Sequence, residues 1–240
     1  MKRSMRRLPV AEIAGEGAER ALDREGAKHA KVLRLREGDE LELFDGNGGR
    51  ARAVLLSDGR YRVLERLPQR AKLSALELVL CLPKLPDLES AVRMATELGV
   101  TAIHLAMSDH SIVKLDDQRG AQKIERLRKI ALEASRQSER DELPTLHAPR
   151  PLSDFWGPDD PFDDPFGDRF IALERSQAGR ARRRSDSAAI LIGPEGGFSE
   201  REVSEAERAG WSAISLGPTI LRVSTAVAAG IAYTRALEDE

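Results

Sequence analysis

The sequence predicts an α/β protein, a parallel sheet with helices on both faces, preceded by a small all-β module. Three observations carry this. From Leu76 onward, short apolar runs alternate with segments whose apolar residues recur at helical spacing. Between Glu40 and Glu65 the runs are shorter, alternating, and broken by Asp-Gly, Asn-Gly and Gly-Gly. The chain has 240 residues, 41 % of them hydrophobic, enough for one large domain or two small ones. Leu67-Pro68-Gln69 reads as a linker, which divides the chain into residues 1–72 and 73–240.

The elements follow in order. Lys28 to Leu35 reads as a short helix with Val32 and the basic residues on different faces. Hairpins follow, with strands at Leu41–Phe44, Ala51–Leu56 and Arg60–Leu64. Leu76–Leu82 is almost continuously apolar, as a strand buried on both faces should be. Asp87 reads as the cap of a helix carrying Leu88, Val92, Ala95 and Leu98, which Gly99 closes. Ala102–Met107 is strand-like, and Asp117–Gln137 is a long amphipathic helix with Ile124, Leu127, Ala131 and Ala134 on one face. Trp156 to Asp168, rich in Pro and Asp, reads as an acidic surface loop. Phe170–Leu173 and Ala188–Ile192 are further strands. Ser199-Glu200-Arg201-Glu202 is a capping box that opens the next helix. Ala213–Leu216 is the last strand and Thr225–Leu237 the last helix.

Composition limits the function. No apolar run is long enough to cross a bilayer, and no apolar stretch follows the basic N-terminus as a secretory signal would require. Cys81 stands alone, so it forms no internal disulfide and fits a reducing, cytoplasmic compartment. The net charge of -2 conceals a division. Residues 1–72 carry 17 Lys+Arg against 12 Asp+Glu, whereas the remainder carries 21 against 28. Such asymmetry points to a polyanion-facing module on an acidic body. Clustered Arg180–Arg184 reads as a solvated loop.

Chemistry concentrates at two junctions. In Ile190-Leu191-Ile192-Gly193-Pro194-Glu195-Gly196-Gly197-Phe198-Ser199, a buried strand ends in a Gly-rich turn before a capped helix. Ligands of open α/β sheets bind at such carboxyl ends, and glycine lets backbone approach them closely. A second junction, Ile214-Ser215-Leu216-Gly217-Pro218-Thr219-Ile220-Leu221-Arg222-Val223-Ser224-Thr225-Ala226, follows closely. Neither is a Walker motif nor G-x-G-x-x-G, so a phosphate-binding nucleotide site is the weaker reading.

The pair resembles the C-terminal signature of the 16S ribosomal RNA uracil-N3 methyltransferases, in the SPOUT superfamily. Met94-Ala95-Thr96-Glu97-Leu98-Gly99-Val100, Ser111 to Leu115 and Glu133 to Arg140 resemble internal motifs of that family. His29–Leu35 with Phe44-Asp45-Gly46 resembles its PUA-like RNA-binding module. The resemblance spans nearly the whole chain outside 150–170. It implies a trefoil knot in the last third, a homodimer, and S-adenosylmethionine bound on three loops. Those loops would contribute Leu173, then Ile192, Gly193, Glu195, Gly196 and Gly197, then Leu216, Gly217, Ile220 and Leu221. The implied reaction is attack of uracil N3 on the cofactor methyl, with 16S RNA or the small ribosomal subunit as partner. A sulfonium is already an activated electrophile, so no metal is required, in keeping with scattered His29, His104, His110 and His147.

Arg222 would stabilise negative charge on O2 or O4 of the base through fixed guanidinium donors. The family pattern Ile-Leu-Arg-Thr-Glu-Thr-Ala departs here to Val223-Ser224, and an expected arginine is Thr219. A serine hydroxyl is a poor base. Proton loss therefore proceeds through water or another carboxylate such as Glu195, or activity is reduced or redirected, leaving a cofactor- and RNA-binding protein. For RNA, the resemblance implies Lys114, Gln137 and Arg140 near the target nucleotide, with Gln137 and Arg140 sharing a helix face at i, i+3. Glu139 stands where the family commonly has Gly. Arg7, Lys31 and Arg34 suit phosphate contacts, which position RNA without reading it. Only 4 % of residues are aromatic, so recognition rests on RNA shape rather than stacking.

Overall fold

The structure, a computed structural model, describes residues 5–111, 117–162, 167–174 and 182–237. The chain divides into two compact units: Met1–Lys72 with Ser135–Leu143, and Leu73–Ala134 with Pro144–Glu240. The first thus recruits a segment from far along the sequence, beyond the boundary that linker composition suggested.

The first unit contains β1 (Arg7–Pro9), β2 (Glu19–Ala21), α1 (Arg24–Val32), β3 (Glu40–Phe44), β4 (Arg50–Leu55) and β5 (Arg60–Leu67). The sheet order is β1-β3-β4-β5-β2, with β1 parallel to β3 and the other pairs antiparallel. The hairpin between β3 and β4 turns on Asp45. Its Oδ1 accepts from the backbone N–H groups of Asn47 and Gly49, both at 2.9 Å. This side-chain mimic of a backbone turn explains Asp at that position. Alternate residues Leu41, Leu43, Ala51, Ala53, Tyr61 and Val63 form the core with Leu8 and Ile13.

The helix here starts earlier than its periodicity suggested. Asp23 caps α1 through a 2.7 Å bond from the Gly26 N–H. Ala30 faces inward, and Val32 is 68 % exposed rather than set against the core. The chain leaves the helix through Arg34, whose φ of +52° reverses its direction before β3.

The second unit runs β6 (Ala75–Cys81), α2 (Leu85–Glu97), β7 (Ala102–Met107), α3 (Asp117–Gln137, whose last three residues belong to the first unit), β8 (Thr145–Pro151), β9 (Asp168–Ala172), β10 (Ser187–Ile192), α4 (Glu200–Arg208), β11 (Ser212–Ile214) and α5 (Val223–Ala236). All six strands are parallel, in the order β11-β9-β10-β6-β7-β8. β8 carries two prolines and little apolar periodicity, which hides it in the sequence. Proline is tolerated there because β8 is an edge strand.

Both sheet faces are covered. One packs Leu78, Leu80, Ile103 and Ile190 against Leu88, Val92, Ile124, Leu127, Val227 and Ile231 of the helices. The other packs Val79, Ile171 and Leu191 against Ala206, Trp211, Phe155 and Phe162. The stretch from Trp156 expected to be an acidic surface loop therefore contributes to the core: Phe162 is buried, next to buried Phe155 just before it, and Asp160 pairs with Arg169 at 2.6 Å. Burying each such large side chain contributes about 1.5–3 kcal/mol, enough to outweigh the polar composition around it.

α2 begins at Leu85, with Lys84 as its N-cap and Pro86 in the first turn, not at Asp87. Gly99 closes it at φ +88°, as expected. After β11 at the sheet edge, the chain returns so that α5 packs on β10 and α2. Gly230 permits this close approach, since a Cβ there would lie 2.5 Å from Ile190 Cδ1. This doubling back is the return path that a trefoil crossing needs.

Candidate active site

The strand order reverses between β6 and β10, and in such sheets ligands bind beyond the carboxyl ends near the reversal. A cleft of about 370 Å³ lies there. Ala172, Leu173 and Glu174 after β9 form one side. Ile192 to Phe198 after β10 form the floor, and Leu216, Gly217, Thr219 and Leu221 after β11 form the third side. Val203 of α4 with Val223 and Ala226 of α5 complete it. The volume lies within the range of small-molecule sites, and glycines and aliphatic side chains make up most of its lining, with Glu174, Glu195 and Thr219 as polar side chains.

Local chemistry holds these loops. Gly217 has φ +127°, accessible at little cost only to glycine. The second loop is anchored at both ends. The Glu195 carboxylate accepts from the Lys84 N–H at 3.2 Å, occupying an orphan donor at the start of α2. Ser199 and Glu202 form the expected capping box of α4. Buried Glu202 also accepts from the Asp109 N–H at 2.8 Å. Asp109 in turn accepts from Ser199 Oγ at 2.7 Å and pairs with Arg201 at 2.9 Å. These two partners, the serine bond first, hold its carboxyl below the usual range. The turn after β7 is thereby clipped to the start of α4. His110 in that turn sets Nδ1 at 2.9 Å from the Gly196 carbonyl and 3.3 Å from that of Gly197.

Of the residues expected to hold a cofactor, Leu173, Ile192, Gly193, Glu195, Gly196, Gly197, Leu216, Gly217 and Leu221 line the cleft. Ile220 does not, its side chain being 61 % exposed between two lining residues. Arg222 and Ser224 are also outside the wall. Arg222 is the N-cap of α5, exposed, between lining Leu221 and Val223, and its guanidinium has no partner among the described residues. Ser224 is half-buried in the first turn of α5.

The RNA-facing expectations fare unevenly. Lys31 and Arg34 are exposed and without an ion-pair partner among the described residues. Arg7 is corrected: it is buried, and its cation is consumed inside the first unit. It donates to Glu42 at 2.9 Å, to Asp141 and to the Arg140 carbonyl at 3.2 Å, and lies 4.5 Å from the Phe44 ring centroid. A phosphate cannot reach a guanidinium so enclosed. Gln137 is exposed at the end of α3, but the helix stops there, so Arg140 does not share its face. The reversal is made by Glu139, at φ +59°, and the Arg140 N–H returns to the Ser135 carbonyl at 2.8 Å. Lys114 lies outside the described residues. Sequence reasoning missed His110 as a support of the glycine loop, because only folding brings it to that loop 86 residues away.

A glycine-rich cleft at the carboxyl ends of parallel strands, on a chain with a separate β unit, points to a class: an enzyme that binds a small cofactor. Comparison with known proteins is specific. Residues 69–235 match the family model described as RNA methyltransferase domain, and residues 22–63 match RNA methyltransferase PUA domain. The chain is 33 % identical to the ribosomal RNA small subunit methyltransferase E of Synechocystis sp. over 86 % of its length and 69 % of that protein's. It is 29 % identical to the Bacillus subtilis protein of the same name, over 94 % and 89 % of the two chains. The crystal structure of ribosomal RNA small subunit methyltransferase E from Neisseria gonorrhoeae, bound to S-adenosyl methionine, superposes with a TM-score of 0.87. It is 28 % identical, with 97 % and 98 % of the chains covered. The chain belongs to this RNA methyltransferase family.

Proposed function

We propose that this protein transfers the methyl group of S-adenosylmethionine to N3 of a uridine in the 16S RNA of the small ribosomal subunit. The observation that carries the reading is the cleft built by the three loops after β9, β10 and β11. Its residues fit the cofactor. Leu173, Ile192, Leu216 and Leu221 offer aliphatic surface to a purine, and the glycine loop brings peptide groups close enough to bond polar edges. When bound, the cofactor supplies an electrophilic methyl on a sulfonium.

The chain's own residues do the rest. Uracil N3 carries a proton at neutral pH, so attack requires its removal and stabilisation of the charge that spreads to O2 and O4. Arg222, without a partner among the described residues and flanked by two residues of the cleft wall, supplies guanidinium donors for that charge. Glu195 braces the glycine loop against the start of α2. Lys31, Arg34 and Gln137 contribute to RNA binding from exposed positions. No helix of the described residues is long and apolar enough to cross a membrane, and we place the protein in the cytoplasm as a homodimer.

Incubation of the purified protein with labelled S-adenosylmethionine and small ribosomal subunits tests the reading. Label in 3-methyluridine after nuclease digestion is the expected result. Cofactor binding with no transfer to any RNA would instead identify a catalytically impaired member of the family.

A further inference from the structure

The glycine loop after β10 is tied to the rest of its unit at both ends. Its first limb is held at the start of α2, where Glu195 accepts from the Lys84 N–H at 3.2 Å. Its last limb enters α4 through the capping box of Ser199 and Glu202. Between these ties lie Gly196, Gly197 and Phe198, all on the cleft lining. This middle stretch turns on a 2.9 Å bond from the Gly197 N–H to the Pro194 carbonyl and on a Gly197 φ of +66°.

His110 supplies a third tie, and it acts on the middle. Its Nδ1 lies 2.9 Å from the Gly196 oxygen and 3.3 Å from the Gly197 oxygen. A carbonyl oxygen can only accept, so Nδ1 carries the proton and shares it between the two. The histidine is kept in place from two sides. Its neighbour Asp109 is bonded to Glu202, Ser199 and Arg201 around the start of α4, which fixes the backbone beside it. A Cβ at Gly196 would lie 3.0 Å from the His110 Cβ, so the missing side chain makes room for the histidine.

The consequence for the cleft follows from peptide geometry. In a planar trans peptide the C=O and the next N–H point in opposite directions. Holding the Gly197 carbonyl on His110 therefore turns the Phe198 N–H away from the histidine. His110 is not on the cleft lining, whereas Gly197 and Phe198 are. The Phe198 N–H has no hydrogen-bond partner among the described residues. We propose that His110 is a positioning residue for cofactor binding: the peptide it holds presents the Phe198 N–H to S-adenosylmethionine as a donor. This rests on the methyltransferase reading above. It requires no contact of the imidazole with cofactor or RNA.

Calorimetry of the full chain with S-adenosylmethionine, joined to NMR of its backbone amides, tests the assignment. His110→Ala removes the donor and should weaken cofactor binding about fivefold, the effect of one hydrogen bond. In His110→Asn the side-chain amide takes the place of Nδ1, and affinity should return to within about twofold of wild type. In the wild type the Phe198 amide proton should move downfield as cofactor binds, and in His110→Ala this shift should shrink. Unchanged affinity in His110→Ala would overturn the proposal. An asparagine variant as weak as the alanine one would do the same, since it would reduce His110 to a packing contact. A Phe198 amide that ignores the cofactor would also sink it, and that measurement stands even if His110→Ala fails to fold. A folded wild-type protein that binds no cofactor would instead remove the methyltransferase reading itself.

Discussion

The two units solve opposite problems with opposite materials. The cleft of the second unit is lined mostly by glycines and aliphatic residues, held in shape by glycine conformations and helix caps. The most organised polar feature of the first unit is made of long charged side chains. Arg7, Glu42, Arg50, Arg70 and Asp141 form a connected set, with Arg50 on Glu42 at 2.9 Å and Arg70 on Asp141 at 3.3 Å. Arg6, Arg60 and Arg62 are likewise paired within the unit, to Asp39 and Glu19. A count of positive charges thus overstates the field that this unit offers to a polyanion. Lys31 and Arg34, exposed and without an ion-pair partner among the described residues, represent that field better than the total does.

Breaking the charged set should have the largest effect. Arg7→Met leaves Glu42 and Asp141 short of their main partner, and breaking a buried pair by removing one member costs about 3–5 kcal/mol. Urea unfolding followed by circular dichroism would measure it. An effect below about 1 kcal/mol would mean that water replaces the guanidinium. In the cleft, Arg222→Ala should lower turnover about 100-fold while cofactor affinity changes less than twofold, as for loss of one donor to a developing anion. Equal losses in the two quantities would make Arg222 a binding residue. Gly217→Ala should weaken cofactor binding about tenfold, because alanine is strained at φ +127°. Calorimetry of the folded variant reads this directly.

Two smaller effects refine the comparison. Burial, and secondarily the neighbouring His104, lower the pKa of His147. Its ring stacks on His104 with centroids 4.2 Å apart. As pH falls through the ordinary histidine range near 6.5, the unfolded chain takes up this proton before the folded one, so stability is lost on the acid side. His147→Gln should flatten the urea midpoint between pH 7.5 and 5.5. Glu139→Gly should raise stability by about 1 kcal/mol, by removing a left-handed non-glycine residue whose pair with Arg70 is at the surface and worth little.

Glu139 also shows what the sequence could and could not reveal. Glycine at that position in the family pattern reads, in one dimension, as an absent charge; the backbone shows that it serves a left-handed turn after α3. The second unit was largely legible, since buried parallel strands are apolar runs and capping boxes and terminal glycines are local signals. The two glycine junctions located the cleft for the same reason. Elements of three residues such as β1 and β2, and the proline-bearing edge strand β8, lack a period long enough to detect. Arg7 was misjudged, and the loop contact of His110 passed over, for another reason. Their roles depend on partners 134 and 86 residues away, which no local pattern encodes.

The central claim is that a cleft of main-chain loops presents S-adenosylmethionine to uracil N3. The most direct measurement is mass spectrometry of nucleosides from small-subunit RNA treated with the purified protein and methyl-deuterated cofactor. The account predicts deuterated 3-methyluridine at one site. Label in any other nucleoside, or none while calorimetry shows the cofactor bound, would contradict it.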